Sequence, residues 1–472
     1  MYPGALPRNR PPRQLEPPLA MPQSRVMAKL WTAAPGALHP AVEHFCFAAD
    51  AALDGRLVRY DILGSLAHAQ MLRSIGVLDK DEWRRLQHGL RRVLRAHERG
   101  RFTITTADED VHTAVETRLG RAGEKLRTAR SRNDQVLTDM RLLGLEQLCH
   151  TAIAAARAGR ALLAQARRHE FLPMPGYTHL QRAMPSSYGM WMGAYGEELA
   201  DTLVELDAAY TLMDQCPLGS GAGYGVGLKV DRRLTAKLLG FSRVQNNSLY
   251  CQNSRGHFEA VALSALASLT GVLGRLASDI CLFCSEEFGF LKLSPGFTTG
   301  SSIMPQKRNP DPFELIRAKA VRLAALEQSV RLVTHGLISG YSKDLQEIKG
   351  PVIEAFDLAP ACAQIIELAA PELVPNKKRL AAALTPDLYA ADHAYDLVKQ
   401  GVPFRRAYHR IKGQLDRLEP VDAEKNIRSK AHFGATGRLG LKENSARLRE
   451  LETGWARRLR RLRAAWNRLL KD

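Results

Sequence analysis

No proline occurs between Pro40 and Pro173, and because proline breaks helix interiors, that whole stretch is free to be helical. Strand signals are nearly as scarce. Apolar residues recur mostly at spacings of three and four, and the one modest alternating run is RFTITT at 101–106, which argues against a mixed or parallel-sheet fold. No apolar run approaches the ~18 residues of a membrane span. Residues 1–28 hold seven prolines and scattered arginines but no apolar core segment, so they read as a disordered extension and not as a secretory signal. Cysteines number seven, odd and scattered, which fits free thiols in a reducing, cytoplasmic setting better than a disulfide framework. Cys281 and Cys284 form a lone CxxC inside an apolar helical run and read as core thiols; no metal site and no cofactor is expected. The glycines of GSGAGYGVG, 219–227, do not stand at dinucleotide-binding offsets and follow no strand, so they read as a backbone crossing.

The 472 residues, 45% hydrophobic and 25% charged, can bury a large core, and the length suggests two or three domains. A net charge of +18 raises the question of an anionic partner. Much of it lies after Val421, where 14 Lys/Arg face 6 Asp/Glu. There Trp455, Leu459, Leu462, Trp466 and Leu469 mark an amphipathic helix with arginines on its wet face. Packing against the protein is the expected role, and nucleic-acid or membrane binding is not. Gly256–Phe290 is apolar on more than one helical face, through Val261, Ala265, Leu269, Val272, Leu276, Ile280 and Phe283 and also Leu263, Leu266 and Leu273. A second long helix is expected through Phe313, Ile316, Ala320, Leu323, Val330, Val333 and Leu337. An all-α fold around a long helix bundle follows, with enough apolar surface to be shared between subunits.

Phe297–Phe313, FTTGSSIMPQKRNPDPF, fits neither helix nor strand period and reads as a functional loop. Its small residues leave backbone N–H groups free, and Lys307 and Asn309 supply a cation and an amide, an inventory suited to carboxylates. Asn309 is expected to cap the helix that follows, which leaves the other end of the loop unanchored. Four more polar clusters interrupt the helical pattern: EDVHTAVE (109–116) with His112, SRNDQ (131–135) with Arg132 and Asn133, GYTHLQRAMP (176–185) with Thr178, His179 and Gln181, and YSKDLQEIKGP (341–351) with Tyr341, Gln346 and Lys349. A helix is expected to begin near Gln135.

GSSIMPQKRNPD resembles the signature loop of the fumarase/aspartase superfamily, G-S-S-x-M-P-x-K-x-N-P. The clusters, in this order from about Leu30 to near Arg447, resemble the argininosuccinate lyase family; LGSLAHAQML (Leu63–Leu72) and DLVKQGVPFRRAYHRI (Asp396–Ile411) extend the likeness. The resemblance implies a three-domain helical subunit, with a helical N-terminal domain over 29–131, a central bundle over 132–378 and a C-terminal helical domain over 379–472. It also implies a homotetramer whose sites are shared between subunits. The implied reaction is cleavage of argininosuccinate to arginine and fumarate by base-catalysed β-elimination, the last step of arginine biosynthesis. Ser301 matches the base. His179 and Glu314 match an acid–base pair, while Lys307 and Asn309 match groups that stabilise the aci-carboxylate. Arg132, Asn133, Thr178 and Gln181 match the fumarate-end contacts, and Tyr341, Gln346 and Lys349 the arginine end; His112 and Asp54 complete the substrate-binding set.

The chain departs from the family pattern at several positions. Asp50 stands where F-N-x-S-I-x-x-D has serine, and an extra carboxylate there repels an anionic substrate unless it is paired. Arg127 and Ala129 replace the His and Gly of H-T-G-R-S-R-N-D-Q, and Ser342 and Lys343 replace the Asn and Arg of Y-N-R-D-L-Q-E-D-K. Two alternatives stay open at this stage: a related fumarate-releasing enzyme such as an adenylosuccinate lyase, and a catalytically silent structural relative.

Overall fold

The proline-free stretch is helical almost throughout. In the computed structural model, which describes residues 39–471, it forms Pro40–Asp54, Val58–Ser74, Lys80–Glu98, Val111–Leu119, Arg121–Leu126 and the 37-residue Arg132–Arg168. The extension read over 1–28 lies outside the described residues. Local chemistry sets the helix starts. Asp79 accepts from the amides of Asp81 and Glu82 while Glu82 reaches back to the Asp79 amide, a reciprocal cap that fixes where Lys80–Glu98 begins. Ser131 and Asp134 do the same for Arg132–Arg168. That helix therefore starts three residues before the Gln135 expected from sequence, and SRNDQ is its first turn. The RFTITT strand does not form; 101–105 is irregular and Thr106–Asp108 is a 3₁₀ turn.

The chain divides into two units, one ending at Cys46 and one running from Phe47 to Asp472. Of the first, only residues 39–46 are described, the opening of the Pro40–Asp54 helix. The second is built on long helices: Arg132–Arg168 packs along Tyr188–Met213, and His257–Phe283 along Asp311–Thr334, with Lys349–Ala369 touching both pairs. Leu263, Leu266, Leu269, Leu273 and Leu276 are all fully buried, so the His257–Phe283 helix is enclosed on several faces, at roughly 2–3 kcal/mol per leucine removed from water. Ser248–Phe283 is long and apolar enough to cross a membrane, unlike the expectation from sequence, yet 67% of its apolar window is buried inside the fold, as in a core helix. The Asp311–Thr334 helix buries Phe313, Ile316, Leu323 and Val330 but leaves Leu315, Val321 and Leu332 more than half exposed. Gly196 lets the first pair approach, since a Cβ there would lie 2.6 Å from Leu163.

Among the described residues strands are confined to three two-stranded pieces, Pro173–Thr178 with Gln181–Ser187, Gln215–Cys216 with Arg243–Val244, and Leu291–Leu293 with Leu373–Pro375. The C-terminal helix, Leu441–Leu470, buries Trp455, Leu459, Leu462, Trp466 and Leu469 against the bundle. Its arginines are not simply solvated. Arg447, Arg458 and Arg463 pair with Asp201, Asp207 and Glu146 on the neighbouring helices. All seven cysteines are free, and Cys281 and Cys284 are half-buried. The crossing at 219–227 is held by Asp134, whose Oδ2 accepts from the amides of Gly219 and Gly221, each at 2.9 Å; both glycines have positive φ.

Candidate active site

Four separated stretches converge on one cavity of about 210 Å³. Asp50 and Asp54 come from the Pro40–Asp54 helix, His112 from the start of Val111–Leu119, Arg132 and Asn133 from the first turn of Arg132–Arg168, and Tyr341, Gln346 and Lys349 from the segment leading into Lys349–Ala369. Seven of the residues picked out from sequence thus share one site: Asp54, His112, Arg132, Asn133, Tyr341, Gln346 and Lys349.

Lys349 is 1% exposed, and a buried ammonium needs partners. Its Nζ lies 2.6 Å from Asp54 Oδ1 and 2.6 Å from Asp50 Oδ1, and Asp54 Oδ2 also accepts from the Val111 amide at 3.0 Å. Asp50 Oδ2 faces Lys343 Nζ at 3.5 Å, whose ammonium sits 4.8 Å above the Phe47 ring. The unexpected carboxylate is therefore paired, and one of its partners is itself a departure from the family pattern. Gln346 accepts from the buried guanidinium of Arg255 at 2.8 Å, and Arg255 lies over the Tyr341 ring.

Elsewhere in the lining Arg132 donates to Glu109 at 2.5 Å and to Thr113 at 2.9 Å, and it lies 3.3 Å from Asp110. Burial works against its charge, but Asp110 and Glu109 outweigh it and hold the guanidinium above its ordinary range. Burial likewise opposes ionisation of Asp110, yet His112, Arg132 and the Thr113 amide hold its carboxyl below the usual value. His112 donates from Nδ1 to Asp61 Oδ1 at 2.8 Å, with Asp139 Oδ2 at 3.8 Å. Among the described residues the second oxygen of Asp61 and Oδ2 of Asp139 have no hydrogen-bond partner. Burial and the charges of Asp61 and Asp54 push the Asp139 carboxyl well above its usual range. Asp61, Asp139 and Arg255 escaped the sequence reading because they sit mid-helix or in unremarkable context, and only folding brings them to the site.

The remaining residues picked out from sequence do not line this cavity. Thr178, His179 and Gln181 are exposed at a hairpin that the sequence did not announce. Thr178 pairs with Gln181, and the two-residue turn between them has His179 at φ +53° and Leu180 at φ +60°. Both positive φ values match the twist of a tight hairpin, so the strained turn projects His179 outward. The signature loop is also at the surface, with Lys307 and Glu314 exposed. Asn309 does not cap the following helix. Pro310 occupies that position without a side-chain cap, and the Asn309 carboxamide donates to Thr299 Oγ1 at 3.4 Å. Nor is the loop tied at one end only, because the Thr299 and Asn309 backbones exchange hydrogen bonds at 3.1 and 2.9 Å. Within the closed loop, Ser301 Oγ accepts from the amides of Met304 at 3.0 Å and Ile303 at 3.3 Å.

The other departures also have structural partners. Arg127 donates to Glu116 at 2.7 Å, Ser342 donates to Asp344, and Ala129 takes a left-handed φ of +60°, a conformation that glycine adopts without cost.

Comparison with known proteins places the chain in a family. The family profile described as Lyase matches residues 45–324. Argininosuccinate lyase of Sorangium cellulosum (strain So ce56) is 44% identical over 401 residues, covering 84% of this chain and 93% of that protein. Argininosuccinate lyase of Bacteroides fragilis (strain YCH46) is 40% identical over 418 residues, covering 88% and 93%. The crystal structure of EDDS lyase in complex with formate superposes with a TM-score of 0.77 at 24% identity over 92% of this chain and 95% of that one, a likeness of fold. With identity at this level across nearly the whole length of such relatives, the chain belongs to the argininosuccinate lyase family.

Proposed function

We propose that the protein cleaves argininosuccinate to arginine and fumarate, the last step of arginine biosynthesis, in the cytoplasm. The observation that carries this reading is the convergence of Asp54, His112, Arg132, Asn133, Gln346 and Lys349 on one cavity, in a chain 44% identical to an argininosuccinate lyase. Asp50, Asp54 and Lys349 offer acceptors and a donor for the ammonium and carboxylate of an amino-acid end, and Arg132 offers a guanidinium to a dicarboxylate. No comparison favours the adenylosuccinate alternative.

The proton to be removed lies beside a carboxylate and is weakly acidic, so its departure needs donors aimed at the charge that develops. Lys307 and Asn309 take that role. Ser301 is the base. A serine oxygen is a poor base in water, and the two amides that already point at Ser301 Oγ are the kind of donor that stabilises its ionised form. His179, backed by Glu314, protonates the departing nitrogen directly or through a water, and Thr178 and Gln181 hold the fumarate end.

Because these groups lie on the signature loop, the start of the Asp311–Thr334 helix and the hairpin, and none lines the cavity, the complete site draws the signature loop and the His179 hairpin from other copies of the chain. A homotetramer joined through the long helices supplies such an arrangement, and Leu315, Val321 and Leu332, exposed on the Asp311–Thr334 helix, are apolar surface available for it. Assaying fumarate release from argininosuccinate, adenylosuccinate, aspartate and malate in parallel tests the assignment. Release from argininosuccinate alone is expected, and Ser301→Ala should lower it far more than tenfold, beyond ~1.4 kcal/mol in barrier. Release from another substrate at a comparable rate would overturn the reading.

A further inference from the structure

A second cavity, of about 690 Å³, lies between the Arg232–Leu239 helix, the Phe241–Asn246 stretch and the C-terminal helix. Arg233, Lys237, Arg243, Arg461 and Arg468 line it, and no carboxylate does. Asp214, which pairs with the lining residue Arg461, is already occupied: one oxygen accepts from the Ser242 amide at 2.8 Å and the other from Arg461 at 3.0 Å. The other four cations make no ion pair or hydrogen bond among the described residues. This contrasts with the same C-terminal helix elsewhere, where Arg447, Arg458 and Arg463 each meet a carboxylate. The walls are fixed in place. Trp466 Nε1 donates to the Leu239 carbonyl at 2.9 Å, and Gly240, at φ +84°, passes so close to Ala465 that a Cβ would lie 3.1 Å from its methyl. Four unpaired like charges facing one concavity repel each other and focus a positive potential into it.

We infer that this cavity binds a polyphosphate chain, free or as part of a nucleotide. Guanidinium forks match phosphate oxygens in shape and charge. A triphosphate, with roughly four negative charges near neutral pH given a last ionisation near pKa ~6, balances the four unpaired cations. The volume falls within the ~300–1,000 Å³ usual for small-molecule sites. The cavity shares no lining residue with the candidate active site, so the inference stands whether or not the proposed reaction is correct.

The test is calorimetric titration of the full chain with inorganic triphosphate, ATP and a short single-stranded RNA at fixed ionic strength. Triphosphate and ATP should bind once per chain; equal affinities assign the site to the phosphate chain, and tighter ATP assigns it to a nucleotide. The double variant Lys237→Gln/Arg243→Gln should weaken binding at least about tenfold, ~1.4 kcal/mol, with an unchanged melting temperature. Arg410→Gln/Lys412→Gln, which removes the same charge from an exposed helix elsewhere, should leave affinity unchanged. Absence of triphosphate binding, equal weakening in both double variants, or RNA binding tighter than triphosphate would each overturn the assignment.

Discussion

Asp50 Oδ1 lies 2.6 Å from the Nζ of Lys349, and this pair joins a position where the chain departs from its family pattern to one where it keeps to it. Lys349 is shared between Asp50 and Asp54, so the one ammonium both lines the site and is the common partner of two buried carboxylates. Breaking a buried pair by removing one partner costs about 3–5 kcal/mol. Lys349→Ala should therefore lower stability by that order in urea melts and chiefly raise KM, while Lys307→Ala, at an exposed position and removing a charge that the proposed mechanism sets against the developing negative charge, should chiefly lower kcat with little loss of stability. Lys349→Ala/Asp50→Asn should regain part of the lost stability, and additive losses in the double mutant would refute the coupling.

Mixed oligomers give a direct reading of shared sites. A His179→Asn chain and a Lys349→Met chain, each inactive alone, should recover part of the wild-type activity when unfolded and refolded together, because some mixed assemblies contain an intact site. Activity at every mixing ratio no greater than in the separate samples, with the oligomer confirmed by light scattering, would mean that each chain builds its own site.

Ala129 should prefer to be glycine. Its φ of +60° places a Cβ against the following carbonyl at a cost of about 1 kcal/mol. Ala129→Gly should raise the melting temperature even though glycine gives back some unfolded-state entropy. A lower melting temperature would show that the Ala129 methyl contributes packing that outweighs the strain.

Acid stability should depend on His68. Burial, reinforced by the charge of Arg130 and only partly offset by the bond to the Thr128 carbonyl, lowers its pKa to about 3. In the unfolded chain the imidazole titrates near 6.5. The folded state thus binds fewer protons than the unfolded one between those values, and stability is lost as pH falls through the window. Melting temperature plotted against pH should drop from about pH 6.5 downward in the wild type and less steeply in His68→Asn. Parallel curves would assign the acid sensitivity to other groups.

Much of the molecule was legible from residue order. The absence of proline between Pro40 and Pro173, the three-and-four spacing and the apolar breadth of 256–283 determine long buried helices, because helix geometry turns such spacing into faces that must be covered. The signature loop and the polar clusters identify the family because each places a scarce combination of chemistry on consecutive residues. What residue order could not determine depends on distant partners. Asp50 reads as a repulsive extra charge until Lys349 and Lys343 are seen beside it. Asn309 reads as a helix cap until its carboxamide is seen bonded to Thr299 Oγ1, and RFTITT has strand propensity but no neighbouring strand to pair with. The hairpin carrying His179 forms around two non-glycine residues at positive φ, a conformation that local propensity disfavours and only the pairing of its strands stabilises. The gathering of four stretches around Lys349 is likewise a product of tertiary structure, since a buried charge chooses its partners by proximity in space, which sequence separation does not reveal.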